Sequence, residues 1–231
     1  MRLLALDTST EACSAALMLG DEVRLRFELT ERGHAELILP MIDALLAEAG
    51  IALSSLDGLA FGRGPGGFTG LRIAAGVTQG LAFGAGLPVA PVSSLAAVAE
   101  QVQAGEGERI LVCNDARMGE LYWAAFERIV RGGIGPASPD CVAPPARVAE
   151  GIEGLRHAAG NGLVRYPELR ARLESAGLRV HDELYPRADA IARLGAVELA
   201  AGRGVDASLA LPIYVRDDVA KPASRAVTAV S

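Results

Sequence analysis

Three short stretches hold side chains whose types and spacing could do chemistry. Asp7-Thr8-Ser9 offers a carboxylate and two hydroxyls in succession. Such groups can hold a magnesium-bound nucleotide, and they equally satisfy a hairpin's own backbone as an Asx or hydroxyl turn. His34-x-Glu36 offers an imidazole and a carboxylate, a pairing suited to proton transfer. At the start of a helix the same histidine reads as a surface or interface residue making one hydrogen bond. The third stretch is Gly62-Arg63-Gly64-Pro65-Gly66-Gly67-Phe68-Thr69-Gly70-Leu71-Arg72. Glycine permits close backbone approach and proline fixes φ, so it reads as a shaped strand-to-helix turn whose N–H groups receive an anion or another backbone. A Walker phosphate loop requires Gly-Lys-Ser/Thr, and this turn has no lysine; Lys221 is the only one in the chain.

Other catalytic and metal chemistries find no motif. No serine stands in a Gly-x-Ser-x-Gly elbow. His34, His157 and His181 are too far apart in sequence to form a local metal pair. Cys13, Cys113 and Cys141 lack the paired spacing of a zinc or redox site and read as reduced, mostly buried thiols. No metal site is expected.

These residues need strands and helices to position them. Arg2–Leu6, Ala12–Leu19 and Glu22–Leu29 read as three antiparallel strands, with Gly20-Asp21 as the second turn. Leu37, Met41, Leu45 and Ile38, Ile42, Leu46 recur at helical spacing over 35–49, and Gly50 is the stop. A buried strand at Leu56–Phe61 enters the glycine turn. Thr69–Phe83 then makes a second helix on which Gly76, Gly80 and Gly84 share one face. An interior helical glycine costs about 1 kcal/mol relative to alanine, so this stripe implies a closely packed neighbour, in the same chain or in a partner protein.

Val89–Val92 reads as a strand, Ser93 or Ser94 as the cap of a helix through Leu95, Val98 and Val102, and Gly105-Glu106-Gly107 as a boundary. Arg109–Cys113 opens a second half that ends at Asp115, much as the first strand ends at Asp7, and Leu121–Ile129 follows. The two halves read as an internal repeat. Arg131–Pro145 reads as an irregular connection and His157–Val164 as a strand ending at Gly160-Asn161-Gly162. Helical patterns follow at 167–176 and 189–201, and Pro212–Val215 is one short strand-like piece.

With 231 residues and 51% hydrophobic content, the chain suits one large domain or two small lobes with a substantial core. A net charge of −6 argues against broad electrostatic capture of nucleic acid, so any RNA link is expected to run through a partner. The scattered aromatic residues make no stacking platform for single-stranded bases. The opening apolar run is cut at Asp7 before it makes a signal core, and no apolar stretch reaches spanning length. A soluble, cytoplasmic protein without membrane contact is expected.

Four segments carry a family resemblance: Leu4–Thr10, Gly62–Arg72, Asp115–Tyr122 and Pro212–Arg216. In that order they resemble the TsaB family, the bacterial tRNA threonylcarbamoyladenosine biosynthesis subunits. The likeness covers nearly the whole chain and is thinnest over Arg131–Arg156. It implies an α/β, actin-like (sugar kinase/RNase H-like) two-lobe fold, each lobe a five-stranded mixed sheet with flanking helices, in which Asp7 and Asp115 end equivalent strands. Residues 1–105 would form the first lobe, completed by a returning helix at 189–201. Residues 106–188 would form the second, smaller lobe, and 202–231 a C-terminal segment with a disordered end.

The resemblance also implies a helper. TsaB is similar to TsaD, which transfers the threonylcarbamoyl group to N6 of the adenosine at position 37 in tRNAs reading ANN codons. TsaD carries an HxxxH pair, whose histidines share a helical face and can bind one metal. The matching positions here are Ser94 and Val98, and valine cannot ligate. The implied role is a noncatalytic scaffold that binds TsaD, joined by the ATPase TsaE, while a separate synthase supplies the adenylate. No cofactor of its own is implied, ATP being used by the complex, and Asp7, Thr8 and Ser9 would be a weak or vestigial nucleotide site. The expected interface lies on the first two helices, at His34, Leu37, Ile38, Met41, Leu45, Arg72, Gly76, Gly80 and Phe83. Without TsaD the same helices would pair as a homodimer. A small-molecule kinase of the actin-like fold and a metalloprotease are the alternatives.

Overall fold

Alternation along the first strands decides how the molecule must be layered. Leu4 and Leu6 face one way and Leu3 and Ala5 the other, and all four are fully buried; Cys13, Ala15 and Leu17 oppose Ala16 and Met18 in the same manner. A sheet apolar on both faces needs cover on both. The computed structural model describes residues 1–129 and 133–216, and helices supply that cover. The elements in order are β1 (Arg2–Asp7), β2 (Ala12–Leu19), β3 (Glu22–Leu29), α1 (His34–Ala49), β4 (Gly58–Gly64), α2 (Phe68–Ala85), β5 (Val89–Ser93), α3 (Ser94–Glu100), β6 (Arg109–Asp115) and β7 (Leu121–Arg128). Then come β8 (Ile134–Pro136), β9 (Cys141–Ala143), β10 (Leu155–Ala159), α4 (Gly162–Arg165), α5 (Pro167–Ser175), β11 (Arg179–His181) and α6 (Ala188–Ala200).

The first sheet runs β3-β2-β1-β4-β5, with an antiparallel meander followed by two parallel strands beside β1. The second runs β11-β10-β6-β7-β8, with β10 and β11 parallel to β6 and β7 and β8 antiparallel. Placing β6 on β1 superposes the two orders, so Asp115 and Asp7 end equivalent strands and the repeat holds in topology. The second sheet has six strands rather than the expected five. Its third-strand position is split: β8 pairs with Phe126–Arg128 and β9 with Leu121–Trp123. Between them Pro139 has no N–H to offer a ladder, and the Ala125 N–H donates to Ser138 Oγ at 2.8 Å.

α1 and α2 cover one face of the first sheet through Ile38, Ile42, Leu45, Ala74, Ala75 and Ala82. α6 covers the other through Ala188, Ala190, Ile191 and Ala192, returning to the first sheet from the far end of the chain. α3 lies between the sheets, with Ala97 towards the first and Leu95, Val98 and Ala99 against Ile110, Val112 and Phe126 of the second. α5 closes the outer face through Leu169 and Leu173. Ser93 caps α3 by accepting the Ala96 N–H, and Gly50 ends α1 in the left-handed region at φ 64.

Three expectations change. Residues 133–145 are no irregular connection, since they hold β8 and β9; Arg131 lies outside the described residues. Pro212–Val215 is no strand, because Pro212 has no N–H and a single bond, Ile213 N–H to Arg63 O at 2.7 Å, ties the piece to β4. β4 itself starts at Gly58 and continues through Gly64. The expected disordered end falls on 217–231, outside the described residues. No helix among the described residues is long and apolar enough to cross a membrane. All three cysteines are unpaired, and burial pushes the Cys13 thiol up to about 12.

Candidate functional site

The four motif segments, far apart in sequence, converge at the ends of β1, β4 and β6. Between them lies a cleft of about 650 Å³, lined by Thr8, Ser9, His34, the turn Pro65–Gly70, Asp115, Arg117 and Tyr214–Arg216.

Asp7 does not line it. The residue is fully buried; its Oδ1 accepts the Ser9 N–H at 2.9 Å and Ser9 Oγ at 2.8 Å, and its Oδ2 accepts Ser94 Oγ at 3.3 Å. Burial pushes the carboxyl up to about 7, against the pull of those three bonds. This is an Asx turn sealed under β4: a Cβ on Gly62 would stand 1.7 Å from Asp7 Oδ2. The glycine turn packs on the same hairpin. Thr8 Oγ1 donates to Gly70 O at 2.7 Å, the Gly67 N–H to Ser9 O at 2.7 Å, and a Cβ on Gly70 would stand 1.8 Å from Thr8 O. The N–H at Gly67 thus receives another backbone. Ser94 is spent on Asp7, and Val98 lies in the core.

Asp115 does line the cleft, accepting the Arg117 N–H at 3.0 Å and facing its guanidinium at 3.6 Å. A bridge that the sequence does not announce joins the two hairpins. Asn161 Oδ1 accepts the Asp115 N–H at 3.1 Å while Asn161 Nδ2 donates to Glu11 Oε1 at 3.0 Å. His34, half-buried at the cleft wall, makes one bond, to Thr10 O at 2.8 Å.

The other histidines do meet. Parallel pairing of β10 with β11 brings His157 Nδ1 to 3.0 Å from His181 Nε2, and His157 Nε2 to 3.0 Å from Glu108. The ring centroids are 5.3 Å apart, as expected when two nitrogens point at one another along a hydrogen bond. Burial and the neighbouring His157 hold the His181 pKa below its usual value; the His157 bond, then the Gly105 N–H, hold the Glu108 carboxyl low. Among the described residues no three histidine, cysteine or acidic side chains gather as a metal cage.

The outward face of α2 is the second notable surface. Cβ atoms added at Gly76, Gly80 or Gly84 would meet nothing within 4 Å, so the stripe has no neighbour among the described residues. Phe83 beside it is 86% exposed. Leu37 and Met41 on α1 are half-buried, whereas Ile38 and Leu45 do not reach this surface: both lie in the core under the first sheet. Burying such a side chain contributes about 1.5–3 kcal/mol to folding, which is their role. Arg72 is exposed, its guanidinium 3.7 Å above the Phe68 ring and its Nε donating to Tyr214 OH at 3.2 Å.

Two sheets of one topology, clad in helices and facing each other across a cleft, define an actin-like ATPase fold. The activator of the 2-hydroxyisocaproyl-CoA dehydratase from Clostridium difficile shares that fold at 10% identity, with a TM-score of 0.50 over 88% of this chain and 97% of that one. The family model described as TsaD, tRNA N6-adenosine threonylcarbamoyltransferase, matches residues 28–221. The tRNA threonylcarbamoyladenosine biosynthesis protein TsaB of Escherichia coli is 39% identical over 224 residues, 95% of this chain and 96% of that one. YeaZ from Pseudomonas aeruginosa is 42% identical, with a TM-score of 0.80 over 92% of this chain and 99% of that one. The chain belongs to the TsaB family.

Proposed function

We propose that this protein is a noncatalytic scaffold and activator in the formation of N6-threonylcarbamoyladenosine on tRNAs reading ANN codons, acting by docking TsaD on its α1–α2 face. Family membership supports the pathway. The observation that carries the docking is the glycine stripe on α2, whose open side leaves room for the closely packed helix that such a stripe costs stability to accommodate. Leu37, Met41, Arg72 and Phe83 flank it. His34 serves the cleft wall instead. Catalysis would belong to TsaD, since Ser94 and Val98 stand where a metal pair would be needed. TsaD that binds this face only in its competent lobe arrangement is shifted towards that arrangement by the difference in affinity.

TsaE, as the ATPase, completes the complex, and tRNA is reached through TsaD in the cytoplasm. In this reading residues 1–105 with α6 are the docking lobe and 106–188 the second lobe. A chain without TsaD pairs through the same apolar face as a homodimer. The kinase reading has less behind it, because Asp7 is sealed from the cleft and Asn161 bridges to Glu11 across it.

The test is threonylcarbamoyl transfer to tRNA by TsaD with TsaE, ATP and preformed adenylate, with and without this protein. Activity only when both are present is expected; transfer without TsaD, or no dependence on this chain, overturns the reading. Gly80→Leu should raise the unfolding midpoint slightly, because the position is open and a helical glycine costs about 1 kcal/mol, and abolish TsaD capture.

A further inference from the structure

The segment Ala207–Arg216 links the α2 face to the second lobe. After the Val89–Val205 bridge it buries Ala207 and Ala210 beneath α2, and Gln79 Nε2 donates to Ala210 O at 3.2 Å. Tyr214 then packs on Phe68 at a centroid separation of 5.4 Å. Arg216 reaches the other lobe, where its guanidinium donates to the Glu120 carboxylate and to Ala116 O at 3.3 Å in the β6–β7 turn, only 17% of its side chain exposed. The outward side of this segment is apolar: Leu209, Leu211, Ile213 and Tyr214 are 40–61% exposed, continuous with exposed Phe68 on α2.

We propose that this strap couples docking of TsaD to the position of the second lobe, the partner covering strap and α2 together and so favouring the state in which Arg216 grips the Glu120 turn. The inference rests on the docking reading above. Leu211 and Tyr214 present a surface beside α2 only while the strap lies along it, and the Arg216 latch is one of the contacts that hold the strap there. A partner that binds the latched strap strengthens the latch by the factor with which the latch strengthens the partner. Glu120 is the informative position, because it belongs to the second lobe while the docking surface belongs to α1, α2 and the strap.

The experiment measures TsaD affinity for the full chain and for Glu120→Ala, Arg216→Ala, the double variant and Phe83→Asp. Each latch variant is expected to weaken binding about five-fold, the low end of allosteric coupling, with the double variant no weaker than either. Exchanging the charges as Glu120→Arg with Arg216→Glu should restore affinity, and hydrogen exchange over 207–216 should slow when TsaD is bound. Phe83→Asp should not bind. Latch variants that bind as tightly as the unaltered chain, while Phe83→Asp fails, overturn the coupling and leave docking standing. Unaltered binding by Phe83→Asp overturns docking and the coupling with it.

Discussion

Asp7 and Asp115 occupy the same place in the two halves of the repeat, and their surroundings are opposite. Asp7 is sealed beneath β4 and satisfied by neutral donors, two hydroxyls and one N–H, with its proton held to about 7. Asp115 borders the cleft beside a guanidinium that is itself 76% exposed. The neighbouring strand makes the difference. β4 presses Gly62 onto the Asp7 carboxylate, whereas the glycine after β10, Gly160, presses on Cys113 O and Asn114, and the Asp115 side chain keeps a 10% exposed edge on the cleft. Topology puts a carboxylate at each strand end; packing from the next strand seals one completely and leaves the other, with 10% of its side chain exposed, on the cleft wall.

The largest expected effect comes from forcing that packing. Gly62→Ala sets a Cβ 1.7 Å from Asp7 Oδ2 and 3.0 Å from Ser94 Oγ, two short, fully buried side chains held by their own hydrogen bonds. Overpacking of this severity should cost about 3 kcal/mol or more. At the other strand end Gly119→Ala meets nothing within 4 Å and is penalised only for its φ of +82°, about 1 kcal/mol. Urea unfolding of the two variants side by side reads the difference, and equal losses would remove the contrast.

The second effect is a pH dependence. Between its ordinary value of 3.8 and its folded value of about 7, Asp7 keeps in the folded state a proton that the unfolded chain has released. Stability therefore falls as pH rises through that window and levels off above it. Asp7→Asn keeps an oxygen acceptor for Ser9 and gains a donor for Ser94 without a charge to bury. The variant should be more stable than the unaltered chain at about pH 8, by on the order of a few kcal/mol, and the gap should close towards about pH 4. Unfolding curves across that range with one common slope would mean that Asp7 is not the titrating group.

Much of this was legible in the chain. Apolar runs mark β1 and β2 and alternation marks β3, the helix stop at Gly50 and a cap at Ser93 or Ser94 come from local chemistry, and the four motifs mark the segments that line the cleft. The glycine stripe is visible as a face, but only the fold shows that no described residue fills it. Ile38 and Leu45 were unreadable for a simple reason: α1 is apolar on adjacent rows, and periodicity cannot say which row meets a sheet. β8, β9 and β11 have three residues each and no period to detect. The pair His157 and His181 depends on that same short β11, so sequence distance concealed a direct bond. Burial of Asp7 was hidden because it is decided by Gly62, a residue without a side chain.

The smallest effect tests the far side of the comparison. Asp115→Ala removes an ion pair at 3.6 Å between a carboxylate 10% exposed and an arginine 76% exposed, which water on the arginine side holds to about 1 kcal/mol. It also removes the acceptor for the Arg117 N–H at 3.0 Å, in a turn whose backbone can reach water, so little desolvation penalty is left behind. The bond from the Asp115 N–H to Asn161 involves backbone and survives the substitution. The expected loss is therefore at or below about 1 kcal/mol, well under that of Gly62→Ala. A loss as large as that of Gly62→Ala would mean that Asp115, like Asp7, is held by packing, and its place on the cleft wall would then reflect the same demand rather than a carboxylate edge left open to the cleft.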